Sequence, residues 1–202
     1  MIELITGKPG SGKTYLAVMR MTALPAGKYV VFHNIAGLKP ECFPEPAMMK
    51  EIPAGSLENW VTRASQEQFA EAVKEKYGRP MLVVIDEAQM LFGERNEQRK
   101  SWLSWHRHLG QDVWLIAQHY RMIHSDYYNL CEYEIRALKS LLVNMLIYQY
   151  RTGGEAFKTM RKRKDPKVYA AYRSFDASEA QKPAFHLVYW IVGLMVVAIG
   201  LS

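Results

Sequence analysis

Apolar residues along the chain gather into short runs separated by stretches with helical spacing. Ile2–Thr6, Tyr29–His33, Met81–Ile85 and Val113–Ala117 have strand length, and the last two are apolar throughout, as in strands buried on both faces of a sheet. Between them, Lys13 to about Thr22 suits a helix. Ser65 to Tyr77 sets Phe69, Ala72, Val73 and Lys76 on an amphipathic helix that stops at Gly78 and Pro80, and Glu97 to Leu109 predicts another that stops at Gly110. Strands alternating with helices predict an α/β domain with a mainly parallel sheet flanked by helices. Gly37 to Gly55, punctuated by Pro40, Pro44, Pro46 and Pro53, reads as an irregular excursion. Beyond Asp126 the spacing changes: Glu132–Lys139 alternates in places, Val143–Tyr150 is apolar and β-prone, and Thr152–Glu155 supplies a glycine turn. This predicts one or two further strands, antiparallel and at an edge.

The end of the sequence has a different pattern. From Phe185 to Ser202 there is no charged residue, and Leu187–Leu201 is a stretch of 15 apolar and small residues with Tyr189 and Trp190 near its start. That is the expected opening of a transmembrane helix with an interfacial aromatic belt. At 1.5 Å per residue it reaches about 22 Å, short of the roughly 30 Å hydrocarbon core. The native span is therefore expected to continue beyond residue 202. Lys182 and the cationic run Lys158–Lys164 precede the span, so the positive-inside rule leaves the N-terminal part in the cytoplasm. The expected organisation is a domain over 1–150, a basic juxtamembrane segment over 151–184 and the start of a span over 185–202.

Composition narrows the picture further. The 202 residues are 49% hydrophobic and 23% charged, a globular balance rather than a disordered one. The net charge of +6 is local: residues 1–150 carry 17 Lys and Arg against 16 Asp and Glu, and residues 151–185 carry nine against four. A surface that meets something acidic near the C-terminus is indicated, such as anionic lipid headgroups or DNA, rather than a domain coated with nucleic acid. Cys42 and Cys131 have no partner at metal-ligand or disulfide-framework spacing and are expected as buried or half-buried thiols. Met1–Thr6 runs into a structured motif without the features of a signal peptide.

That motif is Gly7-Lys8-Pro9-Gly10-Ser11-Gly12-Lys13-Thr14, a full P-loop pattern between a strand and a helix. Its glycines let backbone N–H groups point inward at phosphate, and the helix N-terminus adds a favourable dipole. Lys13 is expected to neutralise the β- and γ-phosphates of ATP, and Thr14 to offer its hydroxyl to Mg²⁺. Asp86 and Glu87 directly follow the apolar strand Met81–Ile85. This is the Walker B arrangement, with Asp86 at the Mg²⁺ shell and Glu87 placed to polarise the attacking water. A carboxylate beside the metal ligand favours hydrolysis over phosphotransfer.

Other candidates are less determined. Gln118 ends the strand Val113–Ala117 and is either a γ-phosphate or water sensor or a solvated strand terminus. Arg107 and, after that strand, Arg121 are candidate arginine fingers acting across a subunit boundary, or surface cations. His106 and His108 are two apart on a predicted helix and make a poor metal pair.

The P-loop beginning almost at residue 2, the strand ending Ile85-Asp86-Glu87-Ala88-Gln89, the stretch Trp105–Asp112 leading to an apolar strand and Gln118, and a single late span preceded by basic residues resemble the zonula occludens toxin, or Zot, family. That family includes the filamentous-phage gene I assembly proteins. The resemblance implies an inner-membrane ATPase that drives phage extrusion as a homo-oligomer, possibly a ring. Implied partners are phage coat protein, the packaged single-stranded DNA complex, inner-membrane lipids and, through any part beyond the span, an outer-membrane secretin. A membrane-anchored DNA translocase or conjugation-type ATPase shares these features and is the alternative. A soluble nucleotide kinase would leave the apolar tail unexplained.

Overall fold

Successive residues of a strand face opposite sides of a sheet, and here each side is covered by helices, so the inner strands are apolar at both parities. The computed structural model of the protein describes residues 1–52, 54–142 and 144–173. Strands β1 (Ile2–Thr6), β2 (Val30–His33), β3 (Met49–Glu51), β4 (Met81–Ile85), β5 (Gln111–Ala117), β6 (Tyr133–Leu138), β7 (Met145–Thr152) and β8 (Glu155–Arg163) form one sheet in the order β3-β2-β4-β5-β1-β6-β7-β8. The pairings from β3 across to β6 are parallel, and those of β6 with β7 and β7 with β8 are antiparallel.

The helices are α1 (Lys13–Thr22), α2 (Leu57–Trp60), α3 (Arg63–Tyr77), α4 (Gln89–Phe92), α5 (Glu97–Trp105), α6 (Ser125–Tyr128) and α7 (Pro166–Ala170). Leu4, Val83, Ile85 and Leu115 face a core shared with Val73 of α3, Phe92 of α4, Trp102 of α5 and Tyr127 of α6. Ile5, Val84 and Ile116 face the opposite core, filled by Leu16 and Val18 of α1 and Val168 of α7. Parity along the strands thus separates two apolar layers and gives a helix–sheet–helix sandwich.

One polar residue inside β1 has a clear reason. Glu3, only 2% exposed, receives Nη2 of Arg20 at 2.9 Å, and Arg20 lies 4.0 Å over the Trp114 ring. Burying a carboxylate is tolerable only with such a partner, and the pair fixes the last turn of α1 on the sheet.

The expected strands and helices appear with small changes at their ends. α3 starts earlier because Thr62 caps it, its hydroxyl accepting from the Ser65 amide at 3.3 Å, and it ends at left-handed Gly78. The helix expected over Glu97–Leu109 stops at Trp105. The turns that follow are closed by His108 N to Trp105 O and Gly110 N to Arg107 O, while His106 Nδ1 engages the Leu103 carbonyl. The excursion after Gly37 ends in β3, a short edge strand that the proline pattern concealed.

The C-terminal third departs further from expectation. There are three strands after Asp126 rather than one or two, and the first, β6, is parallel and paired with β1. The boundary placed at residue 150 falls inside β7. The cationic run expected as a juxtamembrane segment is mostly β8, hydrogen-bonded to β7, and α7 packs beyond it on α1. Its partners come from β7 across the turn at Gly153 and Gly154, a hairpin that the local charge density hid. The expected span over 185–202 lies outside the described residues. Cys42 is exposed rather than buried, whereas Cys131 is half-buried and burial pushes its thiol up to about 12.

A buried polar chain links the layers: Trp102 Nε1 donates to Gln111 Oε1 at 2.7 Å, Gln111 Nε2 to Gln66 Oε1 at 2.9 Å, and Gln66 Nε2 to the Trp60 carbonyl at 2.7 Å. Trp102→Ala empties a fully buried site and orphans Gln111, so it is expected to lower unfolding free energy by about 4 kcal/mol or more. Urea denaturation measures this, and a loss below about 2 kcal/mol would contradict the assignment of Trp102 as a core anchor.

Candidate active site

The loop after β1 must fold tightly before α1 begins, and three glycines with positive φ accomplish it: Gly7 at 150°, Gly10 at 73° and Gly12 at 89°. At Gly12 a Cβ would come within 2.9 Å of Leu146 and 3.1 Å of the Tyr148 hydroxyl, and at Gly7 within 2.5 Å of the Ala137 carbonyl. β6 and β7 therefore press on the loop from behind. Tyr148 OH donates to the Gly12 carbonyl at 3.0 Å, and burial holds this phenol well above its ordinary pKa, so it stays a donor. Ahead of the loop, Gly7 N donates to the Gln118 carbonyl at 3.3 Å, and Ser11 N closes on the Lys8 carbonyl at 3.1 Å. Lys13 is buried with its ammonium 3.4 Å from the Lys8 carbonyl.

β5 lies between β1 and β4, which brings the ends of all three strands together. Thr14 Oγ1 donates to Asp86 Oδ2 at 3.0 Å. Burial raises the Asp86 pKa, while the Glu87 amide and the Thr14 hydroxyl pull it back. Glu87 has φ +51°, a left-handed conformation that non-glycine residues adopt rarely and that is often stored at functional sites. Its carboxylate accepts from Gln118 Nε2 at 3.4 Å and from the Gln89 amide. The neighbouring Ala88 N donates to the Ile116 carbonyl at 2.8 Å, locking the turn onto β5.

Sequence reasoning did not find Asn34. At the end of β2 its amide grips the backbone of Asp86 on both sides: Nδ2 donates to the Asp86 carbonyl at 3.0 Å, and the Asp86 N–H donates to Oδ1 at 2.6 Å. A polar residue directly after a buried strand was the available signal, the same signal that pointed to Gln118. Asn34, Asp86, Glu87, Gln118 and the P-loop line a cleft of about 340 Å³. Tyr148, in a strand assigned only a structural part, was also missed.

Arg107 is not brought to this cleft. It sits in the turn before β5, at the opposite end of the parallel strands, where it is exposed and paired with Glu132. Arg121 follows β5 but stacks on Tyr120 at 5.7 Å and does not line the cleft. His108 stacks on Trp105 at 4.0 Å, while His106 is buried on the Leu103 carbonyl.

The residues present fit MgATP. The Ser11 hydroxyl is buried inside the loop without a hydrogen-bond partner, a donor suited to a phosphate oxygen. Thr14 and Asp86 supply the hard oxygen pair that Mg²⁺ takes alongside phosphates.

Fold and cleft together define a P-loop NTPase. The chain belongs to the zonular occludens toxin (Zot) family, which it matches over residues 1–176. It is 31% identical over 162 residues to the putative assembly protein ORF301 of Pseudomonas phage Pf3; the match takes in 76% of this chain but 44% of that relative, so the chain spans less than half of the relative's length. It is similar to the N-terminal domain of zonular occludens toxin from Neisseria meningitidis, with TM-score 0.61, 25% identity, and coverage of 85% of this chain and 98% of that one. The DNA-packaging ATPase B204 of Sulfolobus turreted icosahedral virus shares the fold, with TM-score 0.60 at 17% identity over 81% of this chain and 98% of that one.

Two tests follow from this geometry. Asn34→Ala frees the Asp86 backbone, and it is expected to raise the Mg²⁺ concentration for half-maximal nucleotide binding by up to about thirtyfold, given two lost hydrogen bonds of about 1 kcal/mol each; an unchanged Mg²⁺ titration would contradict the clamp. Next to it, His33 is 3% exposed and burial lowers its pKa to about 4. The folded state thus excludes a proton that the unfolded chain binds below its ordinary pKa of 6.5. The stability this neutral ring allows is complete above pH 6.5, falls as pH drops from 6.5 to about 4 and levels off below. The loss is about 3 kcal/mol. Urea midpoints across that range should fall less steeply in His33→Gln; equal slopes would show that His33 is not the titrating group.

Proposed function

We propose that this chain hydrolyses MgATP to drive the assembly and extrusion of a filamentous phage at the host inner membrane. The carrying observation is the meeting of Thr14, Asp86, Glu87 and Gln118 beside the P-loop, at the ends of β1, β4 and β5. In this reading the loop amides, Ser11 and Lys13 hold the phosphates. Thr14 and Asp86 would hold Mg²⁺, which would supply positive charge to offset that of the phosphates. Glu87 accepts a proton from the attacking water, and the Gln118 amide orients that carboxylate.

Phage assembly is supported by family membership and by likeness to the Pf3 protein. The membrane part of the reading is supported by the uncharged sequence from Phe185 onward. Among the described residues no helix is long and apolar enough to cross a membrane. The partners proposed are further copies of the chain, coat protein with the packaged single-stranded DNA, inner-membrane lipids and an outer-membrane secretin.

Lys13→Ala is expected to abolish nucleotide binding. Glu87→Gln is expected to bind ATP while losing turnover by about a hundredfold or more, as removal of a general base does. Phosphate release and nucleotide-binding assays check both, and phage release should stop in cells carrying Glu87→Gln. Normal turnover in either variant would overturn the site, and turnover stimulated by free DNA with undiminished phage release would replace assembly by DNA translocation.

A further inference from the structure

The transition state of phosphoryl transfer spreads negative charge over the equatorial oxygens and the leaving oxygen, and sites that catalyse it surround that charge with cations. Arg107 and Arg121 lie away from the cleft, but another arginine lines it. Arg173 closes the segment after α7, and that segment is held against the cleft at both ends.

At its start, β8 delivers the chain to the P-loop end of the sheet. There the Asp165 N–H donates to the Tyr15 hydroxyl at 2.8 Å, and Tyr169 of α7 lies 4.8 Å from the Tyr15 ring. Tyr15 is the residue after Thr14, so α7 crosses the first turn of the nucleotide helix. At its end, Lys39 N donates to the Ala171 carbonyl at 2.8 Å and Arg173 N to the Ala36 carbonyl at 3.3 Å. Residues 171–173 are thereby fastened to the loop that begins at Asn34, the residue that grips Asp86.

Gly37 makes this approach possible. It has φ +62°, and a Cβ there would stand 2.7 Å from Cβ of Arg173. Arg173 is exposed and lines the cleft with Lys13, Asp86, Glu87 and Gln118. Its side chain makes no ion pair with another described residue, so no carboxylate among those residues accounts for the cation.

We infer that Arg173 contacts the γ-phosphate of bound MgATP from the Asn34 side of the cleft. Lys13 reaches the phosphates from within the loop, and Arg173 faces them from the side on which Asp86 and Glu87 stand. A guanidinium presents several donors in a fixed plane and suits a terminal phosphate with three oxygens. The contact depends on the γ-phosphate, so it distinguishes ATP from ADP at the point where the chain leaves the cleft.

This rests on the MgATP reading, and the test separates the two. Binding of Mg²⁺ with AMPPNP and of Mg²⁺ with ADP is measured on the full chain in detergent. Arg173→Ala is expected to weaken AMPPNP by about tenfold to a hundredfold, the range of one charge-assisted hydrogen bond or a bidentate pair, and to leave ADP within about threefold. Arg173→Lys should recover part of the loss. Gly37→Ala should reproduce the selective loss with the guanidinium still present, because the added methyl displaces it; thermal melting confirms that the variant is folded. Unchanged AMPPNP affinity in Arg173→Ala, or an equal loss for both nucleotides, overturns the γ-phosphate contact. Failure of the wild-type chain to bind either nucleotide overturns the MgATP reading itself.

Discussion

The phosphate loop can expose its amides to a ligand only if it turns more tightly than a side chain at Gly7 or Gly12 would permit, and most of the later chain is arranged around that constraint. The carbonyl of Ala137, the methyls of Leu146 and the hydroxyl of Tyr148 occupy the space those side chains would need. β6 and β7 are thus a backing plate for the loop as well as sheet strands. The Tyr148 hydroxyl donates to the Gly12 carbonyl just ahead of α1. A bulky residue at Gly12 would have to displace side chains of β7, not merely strain one turn.

The insertion of β5 between β1 and β4 adds the chemistry. Were β4 adjacent to β1, Asp86 could still reach Thr14, but no strand would end between them. With β5 there, Gln118 bonds the P-loop through its carbonyl and Glu87 through its amide. The P-loop and the Glu87 carboxylate are therefore connected by one residue. Asn34 completes the arrangement from the other side of β4, and the strained φ of Glu87 persists because both neighbours restrain its turn.

What was legible from sequence follows a single physical division. The P-loop and Asp86–Glu87 are contiguous, with chemistry and supporting strand within about ten residues, so local patterns reveal them. The parallel core was equally visible because burial on both faces leaves continuous apolar runs. Asn34, Tyr148 and Arg173 act through contacts 52, 136 and 137 residues away in sequence, and no local spacing records such partners. Arg107 lies away from its own chain's cleft for a topological reason: a residue immediately before a parallel strand sits at the end of the sheet remote from a loop that follows one.

The cationic run illustrates how fold and function compete for the same residues. Lys158, Arg161, Lys162 and Arg163 lie on β8, whose outer edge has no partner strand among the described residues, and nearly every position of β8 is exposed. An apolar strand at that place would offer its unpaired backbone to other chains, and dense positive charge is a common defence against such pairing. Part of the charge that suggests an acidic partner is therefore required by the sheet alone. The requirement is for charge but not for its sign, since acidic residues would repel a second edge equally well. The cationic choice is what the edge does not explain, and it leaves a positive face on the same end of the sheet to which β8 delivers α7 and the nucleotide cleft.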